Sequence, residues 1–137
     1  MKIWYQSLFD AGRIPAYFAG VRKRVATIAR PGTEVHLQAM PQGIYGEHTP
    51  AEAVIYPYTA SLYAQDILEN ALRAQAEGYD VFALSSVQDP ALAEARSLLD
   101  IPASTRGVAK SFCHDLGGIC AAAARQSLDQ QSGNRPA

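Results

Sequence analysis

Residues Val81-Phe82-Ala83-Leu84 form an uninterrupted apolar run only four residues long, with Gly78 before it and Asp89-Pro90 after it. A run this short with no polar face is expected of a strand buried on both sides, as in the middle of a parallel sheet covered by helices. Parallel strands cannot be joined by a tight turn; each needs a crossover of about a dozen residues or more, usually a helix. The run therefore calls for alternating strands and helices along the rest of the chain.

That alternation is present. Lys2-Ile3-Trp4-Tyr5-Gln6-Ser7-Leu8 is short, rich in strand formers, and reads as the first strand. Pro15 suits the first turn of a helix whose apolar stripe is Phe18, Val21, Val25 and Ile28, and Arg30-Pro31-Gly32 stops it. Thr33 to Met40 alternates, with Val35, Leu37 and Ala39 on one face and His36 and Gln38 on the other, as in an edge strand with a wetter face. Pro41 to Tyr58 holds three prolines and two glycines and no helical period, so it is expected to be a lid, a binding loop or an interface arm. A disordered insertion is the alternative; Tyr45, Tyr56 and Tyr58 favour an ordered loop, because aromatic rings gain by packing.

A second helix is expected from Thr59 to Glu77, with Ala60, Tyr63, Ala64, Ile67, Leu68 and Ala71 inward and Gly78 at its C-terminal cap. Asp89 as N-cap and Pro90 in the first turn open a third, with Leu92, Ala95, Leu98 and Leu99. Ile101-Pro102-Ala103 begins a short fourth strand, and a last amphipathic helix carries Phe112, Leu116, Ile119, Cys120 and Ala123. Gly117-Gly118 weakens that helix by about 2 kcal/mol. Residues 1–125 read as a single α/β domain and 126–137 as a polar, disordered tail.

The order βαβαβα implies a parallel sheet with right-handed crossovers and helices on both faces. Such sheets bind ligands at the carboxyl ends of their strands, near the switch point in strand order. Those ends are Gln6-Ser7, the start of the Pro41 loop, Ser85 to Asp89, and Thr105 to Lys110. Ser85 and Ser86, with the amides of Val87 and Gln88, stand where a helix N-terminus attracts anions; an N-cap turn that only satisfies its own backbone is the alternative.

Composition removes several classes. Twelve basic and thirteen acidic residues leave a net charge of −1, which excludes nucleic acid and anionic membrane as main partners. No apolar run approaches the ~18 residues of a membrane span. The start shows no signal-peptide core, and two cysteines are too few for a disulfide framework, so a cytoplasmic protein is expected. There is no glycine-rich nucleotide fingerprint or P-loop, and Ser86 stands in no G-x-S-x-G turn. Cys113 and His114 are neighbours that would point about 100° apart on a helix, and Cys113 with Cys120 reads as core. His36 and His48 match no zinc spacing with either cysteine, so no metal is expected.

Several stretches together resemble the aspartate/glutamate/hydantoin racemase family. They are Lys2-Ile3-Trp4-Tyr5, Arg30-Pro31-Gly32-Thr33-Glu34-Val35, Gly78-Tyr79-Asp80-Val81, Asp89-Pro90-Ala91-Leu92-Ala93-Glu94-Ala95-Arg96 and Leu99-Asp100-Ile101-Pro102. The resemblance covers most of residues 1 to about 115 and implies one flavodoxin-like lobe of a two-lobe fold. It further implies a cofactor-independent racemase of amino acids or hydantoins, in which a cysteine from each lobe works on opposite faces of an acidic Cα–H. The chain departs from the pattern where Ser86 holds the position of the first-lobe cysteine and Lys110 that of a glutamate. The family pattern would continue into a second lobe beyond the stretches matched here, and Cys113 and Cys120 do not match its cysteine. Relatives include non-catalytic proteins such as hydrogenase-expression accessory proteins, so the alternative is a carboxylate-binding or assembly protein on the same lobe. A truncated product without activity of its own is a third reading. The resemblance places Ser86 at the reacting position, and with the strand-end residues Gln6, Ser7, Ser85, Val87 and Gln88 it makes the candidate site; it further implies a small carboxylate or hydantoin-like ligand. A lone lobe leaves its cleft face uncovered, and a homodimer or higher homo-oligomer is expected to cover it.

Overall fold

The computed structural model describes residues 1–10, 12, 14–49, 52, 55–86 and 89–105. The expected last helix and tail, with Lys110, Cys113, His114 and Cys120, lie outside the described residues, as do Val87 and Gln88.

The chain runs β1 (Lys2–Asp10), α1 (Pro15–Ile28), β2 (Glu34–Met40), α2 (Pro57–Ala76), β3 (Val81–Ser85), α3 (Leu92–Leu98) and β4 (Ala103–Thr105). The strands form one parallel sheet in the order β2-β1-β3-β4. The fold is α/β, as the alternation requires, and β2 is an edge strand among the described residues. The first connection leads from β1 outward to β2, and the second crosses back over β1 to β3, so the order reverses between β1 and β3. Trp4 pairs with His36 on one side and Phe82 on the other, and Ser7 pairs with Ser85.

The pleat divides the sheet into two faces. Trp4, Phe82 and Leu84 face α2 and α3, in a core with Tyr63, Ile67, Ala71, Ala74, Leu92, Ala95 and Leu99. Ile3 and Val81 form a smaller cluster on the opposite face with Val35 and Ala83 packed against it. Tyr17 of α1 reaches this second face, where its hydroxyl meets Ser85. Helices therefore cover both sides, as the doubly apolar β3 demands.

Both ends of the sheet are tied locally. Lys2 N–H donates to Asp80 Oδ2 at 2.6 Å, and the terminal ammonium to the Gly32 carbonyl at 2.9 Å, which aligns the amino ends of β1, β2 and β3. Helix α2 ends in a Schellman motif: Tyr79 N–H reaches the Ala74 carbonyl at 3.0 Å and Gly78 N–H the Gln75 carbonyl at 3.1 Å. Gly78 takes φ +77° there, which a glycine adopts without steric cost.

Four local expectations are corrected. β1 runs two residues beyond Leu8, to Asp10. Helix α2 starts at Pro57 rather than Thr59, so Tyr58 falls in its first turn; Tyr56 and Tyr58 are 66% and 76% exposed. Only Tyr45 of the three loop tyrosines is buried. Asp89 and Pro90 do not open α3, which begins at Leu92 after Ala91 as N-cap; its Asp89 carboxylate is engaged by Thr105 instead. Leu98 is half exposed rather than inward, because α3 is seven residues long and buries only Leu92 and Ala95 within its length.

Candidate functional site

Buried polar side chains are costly unless partnered, so where they gather is informative. Among the described residues they are Gln6, Ser7, Asp10, Ser86, Ser104 and Thr105, each under 8% exposed. All of them stand in the later part of β1, just past β3, or in β4, at the carboxyl ends of three neighbouring strands. The amino-terminal halves of β1 and β3 bury Ile3, Trp4, Tyr5, Val81 and Phe82 instead. The polar end of the sheet coincides with the reversal between β1 and β3, where α/β sheets take ligands.

Of the predicted residues, Gln6, Ser7, Ser85 and Ser86 stand at this end but not on one surface. Ser7 and Ser85 are register partners on the α1 face. Ser7 Oγ accepts the Phe9 N–H at 3.0 Å. Ser85 Oγ accepts the Tyr5 hydroxyl at 2.8 Å and lies 3.1 Å from the Tyr17 hydroxyl. Gln6 belongs to the opposite face: it is fully buried, accepts Trp4 Nε1–H at 3.2 Å, and donates to the Ser7 carbonyl and Met40 Sδ. Its amide is consumed by the core. Ser86 begins the turn beyond β3, with its carbonyl accepting the Thr105 hydroxyl at 2.8 Å.

The turn that follows is not the helix N-terminus expected. Thr105 Oγ1 also contacts Asp89 Oδ1, so β4 holds the far side of the turn. Asp89 and Ala91 adopt φ +51° and +59°, a left-handed backbone that costs about 1–3 kcal/mol per non-glycine residue and persists only where neighbours enforce it. Two such residues between Ser86 and Leu92 keep the amides of α3 from continuing directly out of β3. The N-terminus of α3 therefore does not stand directly at Ser85 and Ser86.

Asp10 is the residue that sequence reasoning missed. It stands at the end of β1, 2% exposed, and accepts the Gly43 N–H at 3.5 Å. The segment after β2 closes over it in successive turns: Ile44 N–H to Pro41, Gly46 N–H to Gly43 and His48 N–H to Tyr45. Tyr45 anchors this segment by donating to the Leu8 carbonyl at 2.5 Å and packing edge-on against Tyr63, 4.4 Å between centroids. Burial pushes the Tyr45 phenol well above its usual range, and the charges of Tyr63, Asp10 and Asp66 add to the shift. The stretch from Pro41 to His48 thus folds in turns against the carboxyl end of β1. The only sequence signal for Asp10 was an acidic residue directly following a strand, which also fits an ordinary turn.

Asp10 beside Tyr45 and Asp89 beside Thr105 stand with elements of the α2/α3 face, where Asp66 also acts on Tyr45, whereas Ser7, Ser85, Tyr5 and Tyr17 place hydroxyls on the α1 face. Among the described residues no three His, Cys, Asp or Glu side chains gather as a metal site would require, and no helix is long and apolar enough to cross a membrane. A groove of about 620 Å³ between α1 and β2, lined by Arg22, Val25, Ala29, Arg30, Val35 and Leu37, lies away from the polar ends.

No protein-family model matches the sequence, and no curated protein matches it. Among solved structures the chain is similar to allantoin racemase from Klebsiella pneumoniae, with 21% identity and a TM-score of 0.57. The match covers 77% of this chain and 39% of that one, so the chain spans well under half the length of the neighbour. At this identity the likeness concerns the backbone: the chain has a racemase-like α/β fold.

Proposed function

We propose that this chain is a racemase-type lobe that takes a small carboxylate or hydantoin-like ligand at the carboxyl ends of β1, β3 and β4. The gathering of buried polar residues at those ends, on either side of the β1/β3 reversal, is the observation that carries the reading. The likeness to allantoin racemase and the sequence resemblance to the aspartate/glutamate/hydantoin racemases support the substrate class. Racemisation of an acidic Cα–H needs a base on one face and an acid on the other, and thiols serve because they ionise near neutral pH. Ser86 supplies a hydroxyl that stays protonated throughout that range. The hydroxyl favours a second reading, in which the lobe binds carboxylates without turning them over, as an accessory or assembly protein would.

The isolated chain is expected to show no deuterium uptake at Cα when aspartate, glutamate or 5-substituted hydantoins are incubated with it in heavy water. Ser86→Cys should introduce slow exchange, detectable by mass spectrometry, if residue 86 lies at the reacting carbon. Turnover by the wild-type chain that survives Ser86→Ala would sink this placement.

The lobe further assembles as a homodimer in this reading. Ile55, Tyr56, Tyr58 and Leu62, at 45–76% exposure, form an apolar patch at the start of α2. Rigid tyrosines supply contact area at low entropic cost. Sedimentation equilibrium should give twice 14.8 kDa at micromolar concentration, and Tyr58→Glu should shift it toward the monomer. A wild-type monomer across the whole concentration range would remove the dimer from the reading.

A further inference from the structure

Three hydroxyls meet at the end of β3 on the α1 face, and their protons do not balance internally. Tyr5 Oη donates to Ser85 Oγ at 2.8 Å, and Tyr17 Oη and Ser85 Oγ share a second hydrogen bond at 3.1 Å. The three groups bring three protons, of which these two bonds consume two. If Tyr17 donates, the third proton is on Ser85; if Ser85 donates, it is on Tyr17. Tyr5 is 3% exposed and spends its proton within the cluster, whereas Ser85 and Tyr17 are only half-buried. In either arrangement one hydroxyl proton is not consumed by these two bonds, and among the described residues it is left to donate from a partly exposed position.

The cluster is also pre-organised. Tyr17 is held by ring contacts with Phe9 at 4.8 Å and Phe18 at 5.3 Å between centroids, and Tyr5 by its place in the central strand β1. A donor fixed before the ligand arrives loses little entropy on binding. A phenol that hydrogen-bonds the serine oxygen also strengthens the serine as a donor, because hydrogen bonds in a chain polarise one another. Among the described residues, the buried Asp10 and the Thr105-bound Asp89 stand on the other face of the sheet.

We propose that Ser85 and Tyr17, backed by Tyr5, form the hydroxyl donor that receives the anionic group of the ligand, a carboxylate or the ionised ring imide of a hydantoin. The proposal rests on the reading that the carboxyl ends of the sheet take a small anion. It assigns binding to Tyr17 of α1 and a positioning role to Tyr5.

The test is a titration of the full chain, carrying ¹³Cζ-tyrosine and ¹⁵N labels, with sodium succinate and separately with 5-methylhydantoin, against sodium chloride at equal ionic strength. The Tyr17 Cζ signal and the Ser85 amide should move together along one saturable curve. Tyr17→Phe keeps the ring contacts and should weaken succinate binding about tenfold or more, as expected when a hydrogen bond to a charged group is lost. Ser85→Ala should do the same, and it keeps the test open if Tyr17→Phe fails to fold. Wild-type binding that shifts Ser7 and Ser86 but is unchanged in both variants overturns the donor cluster while leaving the anion site standing. Carboxyl-end signals unmoved by either compound overturn the anion site and the cluster with it.

Discussion

Phe82→Ala should lower the unfolding free energy by about 3–5 kcal/mol, the usual cost of truncating a fully buried phenylalanine. Phe82 has no exposed surface, lies between Trp4 of β1 and Ala103 of β4 in register, and faces the core built by α2 and α3. Its removal opens a cavity that two strands cannot close without breaking their hydrogen bonds. Against a total stability of about 5–15 kcal/mol, this is about a fifth or more of what holds a typical domain. Urea denaturation should show the midpoint falling sharply at constant slope. Leu98→Ala, at a half-exposed position, should change stability by no more than about 0.5 kcal/mol and serves as the control. A Phe82→Ala loss below about 1 kcal/mol would mean that this face of the sheet repacks freely, contrary to a close-packed interior.

Stability should fall steeply above pH 10 and Tyr45 should account for much of the fall. Its phenol has an ordinary value of 10.0 when unfolded and is held higher in the folded chain, by burial first and then by Tyr63, Asp10 and Asp66. The folded state thus keeps a proton that the unfolded state releases. The contribution is fully present below pH 10 and is lost as pH rises towards the folded value, at up to about 1.4 kcal/mol per pH unit. Tyr45→Phe should flatten this alkaline limb while costing about 1 kcal/mol near neutrality, where the bond to the Leu8 carbonyl is lost. Burial raises the Tyr63 phenol as well, so the slope should diminish rather than vanish. Denaturant midpoints measured from pH 7 to 11 decide the matter; parallel curves for the two proteins would show that Tyr45 does not govern the alkaline limb.

The elements legible in the sequence were those whose local pattern and tertiary environment agree. Val81 to Leu84 is apolar on both faces because helices cover both faces, and Gly78 ends α2 because the Schellman turn needs a left-handed residue. Asp89-Pro90 carries the local signature of a helix start, yet a partner sixteen residues on, Thr105, engages the aspartate, and Asp89 itself is left-handed. No window of sequence contains that competitor. The candidate site was legible as an end of the sheet but not as a surface. Gln6-Ser7 and Ser85-Ser86 were grouped by adjacency, whereas a strand sends successive side chains to opposite faces, so Gln6 went to the core and Ser7 to Ser85. Tyr5 shares the face of Ser7 by the same alternation, and its hydroxyl reaching Ser85 was deducible only once β1 and β3 were known to be neighbours.

The position of β1 in the middle of a parallel sheet also governs how the molecule comes into being. Lys2 meets Glu34 on one side, but its contact on the other side, with Asp80, lies 78 residues along the chain. On a ribosome adding about 5–20 residues per second, β1 emerges first and then waits on the order of 10 s for β3. During that interval β1, α1 and β2 can pair, since their contacts are comparatively local, while the β3-facing edge of β1 remains an unsatisfied row of amides and carbonyls beside Ile3, Trp4 and Tyr5. The strand that organises the finished sheet is therefore the one longest exposed to mispairing during synthesis, and α2, which must cross over it before β3 can dock, is the first element able to cover its Trp4 face.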